Sequence, residues 1–434
     1  MKLLLLLNLI LVDLFKSEPS HFRITPLSFY TPDNRNDKYF TDNKYGVRLS
    51  WIGSPPPSEN IIINNNINLK WEKKGLFNVH KNKWGDKLWD YSFVDTSLSS
   101  GQQKIMINNL IYNVNIPYFG KKVVEDDTTI FIGDPNIDPP SRWSLGNADK
   151  VIKSKIYEYQ NKARLIVWAG DIFYHDDPAI INSKWPQLTS INNNIVSGVP
   201  TFLHVSLLGN HDYSSTTACN NCHWTINKNG LSCSNNNEAS AIWVQYFFAT
   251  DGLKSFDNQL SNIYHRGCRV PYEYTTQIFV FGRTGYIIID NTWKPEELNV
   301  KWNDINNKLN NHVDTILIIG HWDYTNDGGS SVVKNWISYL SKYFNNKKII
   351  GVQGHTHTNI ISYHNYNNIN YQLVTVGGNG FKGSGCDCRD NCFNCHCCCP
   401  TLYQNNNWII GGWNNNQFCN SLKYKLSFNN KLDL

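Results

Sequence analysis

Ile349-Ile350-Gly351-Val352-Gln353-Gly354-His355-Thr356-His357 is a mostly apolar run that breaks at a glycine and then delivers two histidines. A run of this kind reads as a buried strand ending in a loop, the place where α/β proteins put their chemistry. Four stretches upstream are built the same way: Ile130–Asp134, Leu165–Asp171, Val205–His211 and Thr315–His321. In chain order the five ends spell GDPN, GDIFY, GNHD, GHWD and GHTH. Strand ends of this type can converge on one site. Together they supply Asp or Asn oxygens, three histidines and, three residues after Asp171, Tyr174. That is more than one metal ion needs, and it suits a pair.

A single GD, GN or GH dipeptide is ordinarily a turn with an Asp or Asn capping the next helix. Five of them in this order, each after a strand-like run, are not explained that way. His175, His204, His223, His265 and His364 match no block and read as surface or satisfied core histidines.

The order and spacing of the blocks over about residues 125–385 resemble the calcineurin-like metallophosphoesterases, and within them the purple (tartrate-resistant) acid phosphatases. Most relatives open with Asp-x-His, whereas this chain has Asp134-Pro135-Asn136. In the purple branch a tyrosine three residues after the bridging aspartate takes the place of that histidine, and Tyr174 stands at that offset. The resemblance implies Asp134, Tyr174 and His357 on a ferric ion. It implies Asn210, His321 and His355 on a divalent ion (Fe, Zn or Mn), with Asp171 bridging the two. Phenolate and carboxylate are hard anionic donors suited to Fe(III), and the histidine-rich second site suits a divalent ion.

A carboxylate bridging two cations holds between them a hydroxide whose pKa lies far below that of bulk water, so no serine or cysteine nucleophile is required. The metals also neutralise phosphoryl oxygens during an in-line displacement. His211, beside Asn210 but outside the ligand set, is expected to face the substrate and to donate a hydrogen bond or the proton for the leaving alcohol. Purple acid phosphatases often place another histidine several residues beyond the GHxx block; residues 322–334 contain none, which leaves proton donation to His211 or Asp323.

The outer parts of the chain point to a compartment. Residues 1–20 have a basic start, apolar stretches at 3–7 and 10–15 and a plausible cleavage zone at 17–20, the pattern of a secretory signal peptide. No later stretch has the length of a membrane span, and the polar end at 427–434 has no GPI signal. All 12 cysteines lie between Cys219 and Cys419, seven of them in Cys386–Cys399. An even number in a secreted chain predicts disulfides, and the consecutive Cys397-Cys398-Cys399 fits no spaced zinc motif. The expected location is secreted or the lumen of an endomembrane, lysosome-like vesicle.

A formal net charge of +5 over 434 residues, scattered among asparagines, forms no nucleic-acid stripe. Asparagine runs such as 64–66, 192–194, 235–237 and 405–407 read as polar loop expansions, and none begins an Asn-x-Ser/Thr sequon. Nothing in the sequence marks a particular oligomeric state.

The expected organisation is a signal peptide (1–20), a small β-rich accessory domain (21–124), a metallophosphoesterase domain (125–385) and a Cys-rich C-terminal segment (386–434). Strand-like runs at Val47–Ile52, Ile61–Trp71 and Lys104–Ile116 support the β-rich part. Helical patterns at Asn147–Lys162, Trp302–Asn311 and Val332–Phe344 alternate with the strands, giving an α/β fold of four layers, α-β-β-α. The function expected from the resemblance is an acid phosphatase acting on phosphomonoesters with a binuclear metal centre. Two alternatives share its motifs. One is a phosphodiesterase resembling acid sphingomyelinase, whose opening motif DPNIDP echoes. The other is a non-catalytic phosphatase-like scaffold.

Overall fold

The computed structural model describes residues 21–41, 43–52, 61–65, 67–69, 72–78, 88–107, 110–119, 128–136, 152, 156, 159, 163–172, 200–209, 223–227, 230–233, 252–253, 261–264, 272–321, 332–357, 359–366, 368–377, 401–404, 407–410, 413–414, 417–418 and 422–424. All five strands expected from the sequence form. Thr128–Ile132, Ala163–Ala169 and Leu203–Leu207 run parallel in one six-stranded sheet. Thr315–Ile319 and Lys348–Gln353 lie parallel at the centre of a second, flanked by the parallel strands Thr284–Ile288 and Ile369–Thr375. Antiparallel strands at Gln277–Phe281 and Ile360–Tyr366 close its edges. Near-continuous apolar sequence is what a parallel strand covered on both faces requires, and Thr128–Ile132, Leu203–Leu207 and Thr315–Ile319 are buried throughout.

The two sheets meet face to face. The hydroxyls of Thr129 on the first sheet and Tyr286 on the second are 2.8 Å apart, a buried hydrogen bond across the interface. Tyr403 of the first sheet also bonds Thr284 and Thr315 of the second. Helices Trp302–Leu309 and Val332–Leu340 cover the second sheet. Gly351 leaves room for the second of them: a Cβ there would stand 2.7 Å from Ile337 Cδ1 and 3.1 Å from Val333 Cγ1. The buried indoles of Trp302 and Trp336 meet edge to face at 5.9 Å, an arrangement worth about 0.5–1.5 kcal/mol beyond the burial itself. Of the expected helix 147–162, the described Ile152 and Ile156 are helical and buried, one turn apart.

The N-terminal part is β-rich. His21–Pro26, Lys44–Ile52, Leu88–Ser99 and Glu72–Asn78 form an antiparallel sheet. The runs read from sequence at 61–71 and 104–116 each fold as a hairpin, Ile61–Ile63 with Ile67–Leu69 and Gly101–Ile107 with Leu110–Ile116. The first turns at Asn64 and Asn65, both left-handed at φ 49° and 63°. This part shares one core with the rest: Phe29 N–H donates to Ile278 O at 2.6 Å, and the buried Tyr45 hydroxyl donates to Val280 O. The C-terminal part joins the same body, because Thr401–Gln404 pairs antiparallel with Thr128–Ile132. Among the described residues no helix is long and apolar enough to cross a membrane.

Candidate metal centre

Parallel strands end on the same side, so the two sheets bring their loops together. The first sheet contributes Asp134, two residues after its strand, and Asp171, likewise two residues after Ala169. The second contributes His321, His355 and His357 after Ile319 and Gln353. Single ligand atoms of Asp171, His321 and His355 all lie within 4.8 Å of one another. Asp134 Oδ1 is 3.4 Å from His357 Nε2 and 4.0 Å from His321 Nε2. The geometry therefore pairs Asp134 with His357, and Asp171 with His321 and His355. Of the other residues singled out in the sequence, Tyr174, Asn210 and His211 lie outside the described residues, as do the signal-peptide segment and most of the cysteines.

The electrostatics of this cluster fit a metal. His321 is fully buried, and its Nδ1 lies 2.7 Å from the Ala169 carbonyl, which only an N–H can satisfy. Its Nε2 lone pair is thereby turned toward Asp171 Oδ2 at 3.2 Å. Two acceptors at that distance need a positive charge between them. Two donor atoms on a shared ion with bonds near 2.0–2.2 Å sit roughly 3–3.5 Å apart, which is the spacing seen here. In the metal-free chain the charge is a proton: burial pushes the His321 pKa down, but the Asp171 and Asp134 carboxylates outweigh it and hold it up at about 9. His355 is shifted the other way, lowered by burial and by the neighbouring His321 cation. The two imidazoles stand 5.4 Å apart, edge to face.

The backbone around the cluster is drawn in tightly. Among the described residues nine non-glycine positions have left-handed φ, and five of them are Asp134, Asn136, Asp171, His355 and His357. The other four are asparagines. Left-handed non-glycine backbone costs on the order of 1–3 kcal/mol per residue and persists where the surroundings fix it, which is characteristic of functional sites. Glycines supply the clearance. A Cβ on Gly209 would stand 2.0 Å from Asp171 Oδ1, one on Gly170 2.4 Å from His321 Nδ1, and one on Gly354 2.9 Å from Asp134 Oδ2. The glycines that end these three runs are thus required by side chains delivered from other runs.

One residue of this environment carries no motif in the sequence. Asn291 is buried and its Oδ1 accepts the His321 N–H at 2.5 Å. It ends the apolar run Tyr286–Ile289 followed by Asp290, a sixth strand end whose break is Asp-Asn instead of glycine. His355 N–H donates to Asp134 Oδ2 at 2.7 Å, tying the two sheets together at the centre. His204, read from sequence as non-ligating, is a fully buried core residue whose Nδ1 accepts the Trp168 indole N–H at 3.1 Å.

No curated protein matches the chain. Among solved structures, the 5'-nucleotidase from Candida albicans SC5314 aligns at 14% identity with a TM-score of 0.29, over 59% of this chain and 46% of its own. The chain thus spans less than half the length of that protein. The model of the calcineurin-like phosphoesterases matches residues 128–359, which include both sheets' contributions to the cluster, and the chain belongs to that family of phosphoester hydrolases.

Proposed function

We propose that this protein is an acid phosphatase of the purple acid phosphatase branch, hydrolysing phosphomonoesters. The observation that carries the reading is the buried meeting of Asp134, Asp171, His321, His355 and His357 at the strand ends of two sheets. In this reading Asp134, Tyr174 and His357 hold a ferric ion, Asn210, His321 and His355 hold a divalent ion, and Asp171 belongs to both. The observed pairing of Asp134 with His357 and of Asp171 with His321 and His355 supports that division. When bound, the metal pair supplies the positive charge that ionises water near neutral pH and offsets the charge of the phosphoryl group.

The chain's own groups do the rest. The Ala169 carbonyl and Asn291 fix the His321 ring and backbone, so the ligand shell is formed before substrate arrives. His211 donates a hydrogen bond to a phosphoryl oxygen or a proton to the departing alcohol. Hard anionic donors, with Tyr174 at the position where relatives carry histidine, support iron in the first position. The cysteine distribution and the residues 1–20 support a secreted or vesicle-lumen location, with disulfides.

Turnover of p-nitrophenyl phosphate measured beside bis(p-nitrophenyl) phosphate across pH tests the reading. A monoesterase with an acidic optimum favours the first substrate. Preference for the bis ester makes the protein a phosphodiesterase, and no turnover of either by the metal-loaded chain makes it a scaffold. A Tyr174-to-Fe(III) bond gives a visible charge-transfer band that Tyr174→Phe abolishes; a colourless, active, oxidised enzyme removes the purple branch.

A further inference from the structure

We propose that Asn359 is a positioning residue that fixes the separation of the two halves of the metal centre. The proposal rests on the ligand assignment above. The centre straddles two sheets, with its carboxylates on the first and its imidazoles on the second. Asn359 lies two residues after His357 and is 4% exposed. Its Oδ1 accepts two hydrogen bonds, from Gly377 N–H at 3.2 Å and from the Thr401 hydroxyl at 3.3 Å.

Those two donors come from opposite halves. Gly377 follows the strand Ile369–Thr375 of the second sheet, next to the strand that delivers His355 and His357. Thr401 opens a strand of the first sheet and pairs with Phe131, three residues before Asp134. A Cβ on Gly377 would stand 2.9 Å from Asp134 Oδ2 and 3.2 Å from His357 N, so Gly377 lies where the two half-sites touch. One buried carboxamide therefore ties the His357 loop, the Gly377 loop and the Asp134 sheet at a single oxygen. Around a metal, such outer contacts hold the ligands in register, and their loss lowers metal affinity by roughly 10–100-fold.

Both of these bonds end on Oδ1, so an acceptor is part of what the position supplies. Asn359→Ala removes both, Thr401→Val removes one, and Asn359→Asp keeps an oxygen in place. The experiment is competition for Zn2+ against a chelator on the metal-free full-length chain, with the thermal midpoint of the metal-free form recorded for each variant. Asn359→Ala should bind Zn2+ roughly 10–100-fold more weakly than wild type, Thr401→Val less weakly than that, and Asn359→Asp within a few-fold of wild type. His355→Ala, at a ligand of the divalent position, serves as the ligand control. Wild-type affinity in folded Asn359→Ala and in Thr401→Val, beside a weakened His355→Ala, overturns the positioning role alone. Wild-type affinity in His355→Ala overturns the ligand assignment and the positioning role with it. Should Asn359→Ala not fold, Thr401→Val decides.

Discussion

His321 and Asp171 face each other across 3.2 Å, Nε2 to Oδ2, with both side chains buried and the other imidazole nitrogen already bonded to the Ala169 carbonyl. Neither group can leave that arrangement for water, so a cation between them is built into the fold. In the proposed ligand assignment Asp171 belongs to both metal positions. Asp171→Ala should therefore empty both metal positions, whereas His355→Ala should mainly empty the one shared with His321. Metal counting by mass spectrometry on the purified variants checks this, and full retention of both metals in Asp171→Ala refutes the bridge.

The glycines of the strand ends make a sharper test, because they bind nothing themselves. A Cβ on Gly209 would stand 2.0 Å from Asp171 Oδ1 and 2.3 Å from its backbone nitrogen, so Gly209→Ala must displace the carboxylate. A misplacement near 1 Å costs on the order of a hundredfold in rate. Gly285→Ala is the matched control: its Cβ would meet Ile316 Cδ1 at 2.8 Å, the end of a flexible side chain far from any candidate ligand. That variant should lose about 1–3 kcal/mol of stability and keep its metal content. Equal metal loss in the two would show that Gly209 acts through general stability.

Much of this was legible in the sequence because parallel strands buried on both faces leave long apolar runs, and each run ends abruptly where a ligand begins. The five strands and the helices near 302 and 332 follow from that pattern. Asn291 and Asn359 were not legible. Each acts through one side-chain oxygen on backbone N–H groups or a hydroxyl remote in sequence, and in a chain full of loop asparagines neither stands out. The incorporation of Thr401–Gln404 into the first sheet was hidden for a related reason. A four-residue antiparallel strand has no periodicity of its own, and its pairing with Thr128–Ile132 is set by tertiary packing.

His204 predicts how stability responds to acid. Burial, and secondarily the charge of Arg23, push its pKa down to about 3, against roughly 6.5 in an unfolded chain. Between those values the unfolded state binds a proton that the folded state does not, so stability falls as pH drops below about 6.5 and continues to fall toward 3. His204→Gln keeps an acceptor for the Trp168 indole and removes the titration. Urea midpoints at pH 7 and pH 4.5 should therefore differ less in His204→Gln than in wild type. Parallel losses in both would place the acid sensitivity elsewhere.

His211 predicts a dependence on the leaving group. It follows Asn210 in the block whose Gly209 abuts Asp171, so it stands next in sequence to a proposed ligand. His211→Ala should keep both metals and lower turnover by roughly a hundredfold or more, the scale of general acid catalysis. An alkoxide needs a proton to depart, whereas a nitrophenolate leaves unaided. The loss should therefore be larger on alkyl phosphates than on p-nitrophenyl phosphate, read as kcat for each substrate in wild type and variant. An equal loss on both assigns His211 to stabilising the phosphoryl oxygens, since that contribution does not depend on the leaving group. Unchanged turnover on both, with metals retained, removes His211 from the site and shifts proton donation to Asp323, where the same pair of substrates distinguishes Asp323→Ala from wild type.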